Sequence, residues 1–164
     1  MSDIAVQSRL QKFFPSPRPY EIVHRNIYTI HQRVATTFRQ GRVLLAGDSA
    51  HINNSIGGMG LNGGLQDAAN LSEKLLAVLN GEPNELLSLY SLQRRTVSIE
   101  FVQAQTIANK KRLEAKDPEE RKRVFQSLQA DASDPVAARG FLMKTSMLAM
   151  QQRAASITLD EVAA

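Results

Sequence analysis

Between Arg42 and Leu76 the chain reads RVLLAGDSAHINNSIGGMGLNGGLQDAANLSEKLL, and the order of residue types there restricts the fold more than any other stretch. Val43 to Ala46 is a short apolar run that ends in Gly47-Asp48. A loop containing Gly57, Gly58 and Gly60 follows, and then a helical pattern begins. The sequence strand, acid, glycine loop, helix presents a carboxylate and free backbone N–H groups to one ligand.

The flanking chain is uneven. Pro15, Pro17 and Pro19 argue against a helix across residues 1–20. From Tyr20 to Thr36, β-branched and aromatic residues alternate with polar ones, which predicts one or two strands. Arg39-Gln40-Gly41 predicts a turn, and Val43–Ala46 a strand buried on both faces. Leu65, Ala68, Ala69, Ser72, Leu75, Leu76 and Leu79 recur at three- and four-residue steps, predicting a helix from about Gly60 or Asn62 to Leu79. Asn80-Gly81 supplies its stop. A second helix, capped by Asn84, carries Leu86, Leu87, Tyr90, Val97, Phe101, Ala104 and Ala108 and runs to about Leu113. Asp117-Pro118 and Asp134-Pro135 each open a further helix, with an acid at the cap and proline at the first position. The second of these includes Met147 and Leu148 and fades after Arg153. The fold class is therefore α+β and mostly helical: a few N-terminal strands, then about four helices.

Composition removes several function classes. The 164 residues suit one domain with a real core. With no cysteine, disulfides, thiolate metal sites and thiol catalysis are excluded. No apolar run reaches the roughly 20 residues of a membrane span, and MSDIAVQSRL lacks the layout of a signal peptide, so the expected location is cytoplasmic. The net charge of +4 sits largely in Lys110, Lys111, Arg112, Arg121, Lys122 and Arg123, interleaved with Glu114, Asp117, Glu119 and Glu120. That mixture predicts a solvated helical surface rather than a nucleic-acid face.

Individual residues leave alternatives. Asp48 either accepts hydrogen bonds from ligand hydroxyls or caps its own turn. Gly58-Met59-Gly60-Leu61-Asn62-Gly63 spells G-x-G-x-x-G, but a dinucleotide fingerprint follows its strand directly and leads to a second strand; this one does neither. Glycines at a helix start still suit a ligand that is anionic or becomes so. His51 lies three residues from Asp48 with no third metal ligand in view, and Gly47-Asp48-Ser49 is not a G-x-S-x-G elbow. Arg94-Arg95 either holds phosphate or caps carboxylates and carbonyls between packed parts. Met147 and Met150 read as core or interface.

GRVLLAGDSAH followed by GGMGLNGGLQDAANLSEKL resembles the second flavin-binding motif of the FAD-dependent aromatic hydroxylases, the p-hydroxybenzoate hydroxylase type of flavoprotein monooxygenase. The matching residues include Gly47, Asp48, Ala50, His51, Gly57, Gly58, Gly60, Asn62, Asp67, Ala68, Asn70 and Leu71. Tyr90 with Gln93-Arg94-Arg95 resembles the family's next helix, so the likeness covers residues 27–113. The resemblance implies that Asp48 accepts hydrogen bonds from the ribityl chain of FAD. It implies that Gly57, Gly58, Met59, Gly60, Leu61 and Asn62 lie along the isoalloxazine ring, where a helix N-terminus stabilises reduced flavin. It assigns no catalytic side chain and no metal, because the chemistry belongs to the flavin, with NAD(P)H as co-substrate and a small aromatic molecule as substrate.

Two departures accompany the likeness. Asn53-Asn54-Ser55 stand where the family carries proline, and nothing before residue 42 resembles its dinucleotide-binding unit. The chain is thus expected to be a piece of a larger FAD/NAD(P)-binding α/β fold: 1–41 a remnant of substrate-domain strands, 42–82 the flavin-contacting unit, 83–153 helical, 154–164 a tail. Alone it is expected to hold FAD weakly or not at all, and to form a homodimer or join a complementary N-terminal half. The other reading is a non-enzymatic helical dimerisation module.

Overall fold

The computed structural model describes residues 2–160. Its centre is a helical pair, α2 (Met59–Leu79) and α3 (Glu85–Val97). α2 begins and ends where the pattern places it, and Gly81, at φ +99°, turns the chain out of it. Its inner face is another matter. The buried residues are Met59, Gly63 and Asp67, spaced four apart along one side. Leu65, Leu75, Leu76 and Leu79 of the helix's apolar stripe, and Leu61 ahead of it, are exposed to solvent. The period identifies the helix but misassigns its buried side.

α3 passes through a π-helical turn, Ser98–Gln103, into α4 (Ala104–Glu114), which together make the long helix expected from Asn84. The cap itself differs. The Asn84 side chain makes no capping bond, and the Asn84 backbone carbonyl accepts from Arg39 Nη1 at 2.7 Å. α5 (Pro118–Ser133) and α6 (Pro135–Thr145) start as predicted: Asp117 accepts from the Glu119 N–H at 3.1 Å and Asp134 from the Val136 N–H at 2.9 Å. The last helix is divided. Met147, at φ +63°, separates α6 from α7 (Leu148–Ser156).

The N-terminal third departs most from expectation. Asp3–Phe13 is a helix, α1, capped by Ser2; the three prolines end it rather than prevent it. Residues 20–32 carry no regular strand, and Val23, Ile27 and Tyr28 are exposed. A strand needs a partner for its N–H and C=O groups, and none lies beside this stretch among the described residues. Only β1 (Arg33–Val34), paired antiparallel with β4 (His51–Ile52), realises the expectation. β2 (Arg39–Gln40) pairs with β3 (Val43–Leu44) around the Gly41 turn. The predicted doubly buried strand is thus two residues long, and Val43 is 63% exposed.

These irregular strands are fixed to α3 by side chains. The Phe38 N–H donates to Ser91 Oγ at 2.9 Å, Arg95 Nε to the Ala35 carbonyl at 3.1 Å, and Tyr90 Oη to the Leu45 carbonyl at 2.6 Å. Phe38, Ala50 and Tyr90 form one apolar cluster beneath them. Met59, Val97, Val102, Met147, Met150 and Ala154 form the other, joining α2, α3 and α7, so the two methionines are core. Truncating fully buried Met150 to alanine should cost about 3 kcal/mol, against under about 1 kcal/mol for half-exposed Leu148→Ala. Urea unfolding followed by circular dichroism measures both, and equal losses would contradict this placement of the core.

Candidate functional site

The site is built on one buried carboxylate. Asp67 has 0% relative exposure and takes hydrogen bonds from three elements. Its Oδ2 accepts from the Gly47 N–H at 2.9 Å and from His51 Nε2 at 2.6 Å; its Oδ1 accepts from Arg94 Nε at 2.7 Å. An ionised carboxylate only accepts, which makes His51 Nε2 the donor. Arg94, 2% exposed, also reaches the Gly63 carbonyl at 3.4 Å. Burial pulls the Asp67 carboxyl up, but the bonds from His51 and Arg94, the Arg94 charge and the Gly47 N–H together outweigh it and hold the group below its ordinary range. Burial, with the Asp67 charge adding to it, pushes the Tyr90 phenol well above its ordinary value. Tyr90 therefore stays a donor to Leu45. Of the two roles open to Arg94-Arg95, the structure shows the second: Arg94 on a carboxylate, Arg95 on a carbonyl.

The glycines around Asp67 are set by close approach. Gly47 takes φ +60°, and a Cβ on Gly64 would stand 3.2 Å from its Cα. A Cβ on Gly63 would stand 3.3 Å from His51 Cε1. The 3-10 turn Gly47–Ser49 is thereby pressed against the second turn of α2. Asp48 sits in that turn, exposed and without a hydrogen-bond partner among the described residues, so it does not cap its own loop.

The loop before α2 is fixed differently. Asn54, within the Asn53-Asn54-Ser55 stretch where the resemblance expects a proline, is buried, and its Nδ2 donates to Gln32 Oε1 at 2.9 Å and to the Thr106 carbonyl at 3.1 Å. Its Oδ1 accepts from the Ile56 N–H at 3.1 Å. Side-chain hydrogen bonds thus supply the rigidity that a proline ring would give. Gly57 and Gly58 follow at φ +102° and +64°, the second as the N-cap of α2, with no side-chain cap on the helix. The N–H groups of Met59, Gly60 and Leu61 have no carbonyl four residues back within the helix. Asn62 Nδ2 donates to the Gly58 carbonyl at 2.9 Å. Of the seven residues singled out in the sequence, Asp48, Gly57, Gly58, Leu61 and Asn62 are exposed and Gly60 is half-buried. Met59 turns its side chain into the core and leaves only its backbone at the loop.

Residues 3–105 match the family described as FAD binding domain. Para-nitrophenol 4-monooxygenase of Pseudomonas sp. strain WBC-3 is 40% identical over 156 residues, 90% of this chain and 39% of that protein. A 3-(3-hydroxy-phenyl)propionate/3-hydroxycinnamic acid hydroxylase of Mycolicibacterium vanbaalenii is 41% identical over 64% of this chain and 19% of its own length. The crystal structure of p-nitrophenol 4-monooxygenase from Pseudomonas putida DLL-E4 superposes with a TM-score of 0.75 at 37% identity, over 88% of this chain and 40% of that one. This chain belongs to the FAD binding domain family. The particular relatives it resembles are aromatic-ring monooxygenases, of whose length it spans about two fifths or less.

His51 and Arg94 share Asp67 as a partner, a link that the sequence reading missed. The available signal was Asp67 itself: it lies four residues after Gly63 on the same helical face, and an acid on a buried face demands cations. Asp67→Asn should destabilise the chain by about 3 kcal/mol or more at neutral pH by leaving Arg94 uncompensated. Because the folded-state pKa of Asp67 is depressed, its contribution is complete above the ordinary carboxylate value and is lost as pH falls below about 4. The stability gap between wild type and Asp67→Asn, measured by urea titration, should therefore narrow on acidification; a gap that widens would contradict the network.

Proposed function

We propose that this chain supplies the flavin-ring and ribityl contacts of an FAD-dependent monooxygenase acting on a small aromatic substrate, with NAD(P)H as co-substrate of the whole enzyme. The observation that carries the reading is Asp48: an exposed carboxylate without a partner among the described residues, in a turn packed on a glycine-capped helix whose first N–H groups lack helical carbonyls. That pair fits a flavin. The carboxylate accepts hydrogen bonds from polyol hydroxyls. The backbone from Gly57 to Asn62 offers N–H groups and the partial positive charge of α2 to the N1–C2=O edge, which gains electron density on reduction. The bound flavin supplies the redox chemistry of hydroxylation. What these residues contribute is orientation, a fixed backbone that the ring can approach closely, and stabilisation of negative charge.

The relatives' names support an aromatic substrate, and the family supports FAD. A second reading, a helical association module, draws support from the outward apolar stripe of α2, with Leu61, Leu65, Leu76 and Leu79 exposed. Such a stripe would be covered by a second copy or by an N-terminal half carrying the ADP-binding unit.

Flavin fluorescence titration separates the readings. Saturable quenching is expected with FAD, and with FMN at similar affinity, because the contacts proposed here are to the ring and ribityl chain. Asp48→Ala should weaken both about tenfold, as expected for one lost charge-assisted hydrogen bond, while leaving the thermal midpoint in place because the side chain is exposed. Absence of quenching at saturating flavin, or an unchanged affinity in Asp48→Ala, would overturn the proposal.

A further inference from the structure

Residues 36–39 and α3 border a cleft of about 310 Å³, at the lower end of small-molecule sites. Thr36, Thr37, Ser88 and Ser91 bring hydroxyls to its lining, and Arg39 and Arg95 bring guanidiniums. Among the described residues no carboxylate lines it, and none of the residues proposed to touch flavin takes part. We propose that this cleft binds a phosphate group.

The donors of the lining are only partly used. Arg39 Nε donates to the Gly41 carbonyl at 3.2 Å, and its Nη1 to the Asn84 carbonyl at 2.7 Å and to Ser88 Oγ at 2.8 Å. Its Nη2 has no acceptor among the described residues. The bond from Arg95 to the Ala35 carbonyl occupies Nε alone, which leaves both Nη groups without an acceptor among the described residues. Ser88 accepts from Arg39 and keeps its own proton unspent, and Thr36 Oγ1 is in no hydrogen bond among the described residues. Thr37 and Ser91 are satisfied between themselves. Thr37 Oγ1 donates to the Arg39 carbonyl at 2.8 Å, so Ser91 Oγ is the donor in their 3.2 Å contact while accepting the Phe38 N–H. What remains is a set of N–H and O–H groups with no acceptor, and the ligand that suits it only accepts.

Charge makes that ligand an anion, and shape makes it a phosphate. Arg94 and Arg153 are each opposed by an acid, Asp67 at 2.7 Å and Glu100 at 3.2 Å. Arg39 and Arg95 are half-buried, yet neither forms an ion pair among the described residues. A cation partly withdrawn from water without a counter-charge costs free energy that a bound anion restores. A carboxylate presents its oxygens in one plane, which suits a single guanidinium. A phosphate presents oxygens on a tetrahedron and can engage both arginines and the hydroxyls together. Leu92 is the one apolar residue lining the cleft among those described, so a ring or alkyl chain gains little there. Arg39 belongs to β2 and Arg95 to α3, so one bound phosphate would tie the two-residue ladder to the helix by charge.

Calorimetric titration of the purified chain with inorganic phosphate and with glycerol 2-phosphate tests the proposal, with acetate as the planar anion and ionic strength held constant with sodium chloride. Both phosphates should bind saturably, and acetate at least about tenfold more weakly. The tighter of the two phosphates distinguishes a free ion from the phosphate of an ester. Ser88→Asp places a carboxylate where Arg39 already bonds a hydroxyl, leaves both arginines and their carbonyl bonds in place, and should abolish phosphate binding. Arg95→Gln should weaken binding at least about tenfold. Phosphate should also raise the thermal midpoint of the wild type and leave that of Ser88→Asp where it is. Absence of saturable phosphate binding to the wild type, acetate binding as tight as phosphate, or undiminished binding in folded Ser88→Asp or Arg95→Gln would overturn the proposal.

Discussion

The carboxylate of Asp67 is the constraint on which the rest of the structure depends. A charge with no solvent contact is tolerated only where its lone pairs are filled and its charge is opposed. The donors here come from three separate places: the turn that opens at Gly47, the β4 residue His51, and Arg94 on α3. Satisfying one acid therefore fixes the relative positions of a turn, a strand and two helices. The strands gain little from pairing with each other, since each ladder is two residues long. They are held by α3, through Ser91, Arg95 and Tyr90, and by the acid.

That frame gives the glycine loop its shape. Gly47 and Gly64 meet backbone to backbone, which sets the turn that carries Asp48 against the second turn of α2 without engaging the Asp48 side chain. Asn54, tied to Gln32 and Thr106, anchors the other end of the loop to α4. Between these anchors the chain is left with an unpartnered carboxylate and unpaired N–H groups on a rigid base. Those are the groups on which the proposed flavin contacts rest.

Local chemistry was legible in the sequence, and tertiary partnership was not. The start of α2, its stop at Gly81, and the Asp-Pro starts of α5 and α6 each depend on residues within a few positions of one another, and all appear as expected. The flavin motif was legible as a resemblance over contiguous residues, and the family match agrees with it. The stretch 20–32 has strand composition but forms no strand, because pairing is decided by what lies alongside. The leucines of α2 report a helix correctly and its inner face wrongly, because Gly63 and Asp67 make the buried side with little hydrophobicity of their own. The cluster around Asp67 joins positions 16, 20 and 27 residues from it, which no local pattern connects. The partners that tie down Asn54 lie 22 and 52 residues away, and no local pattern connects them either.

Native-state hydrogen exchange at the Gly47 amide tests most directly whether the buried acid holds the site together. Gly47 lies at the edge of the molecule, in a turn whose next residue is exposed, and a turn held only locally would open readily. Its N–H is instead bound to the fully buried Asp67. This amide should exchange only through global unfolding, with the same opening free energy as the α3 amides around Arg94. Exchange at Gly47 that is orders of magnitude faster than in α3 would show that the rim opens on its own, and would contradict the account.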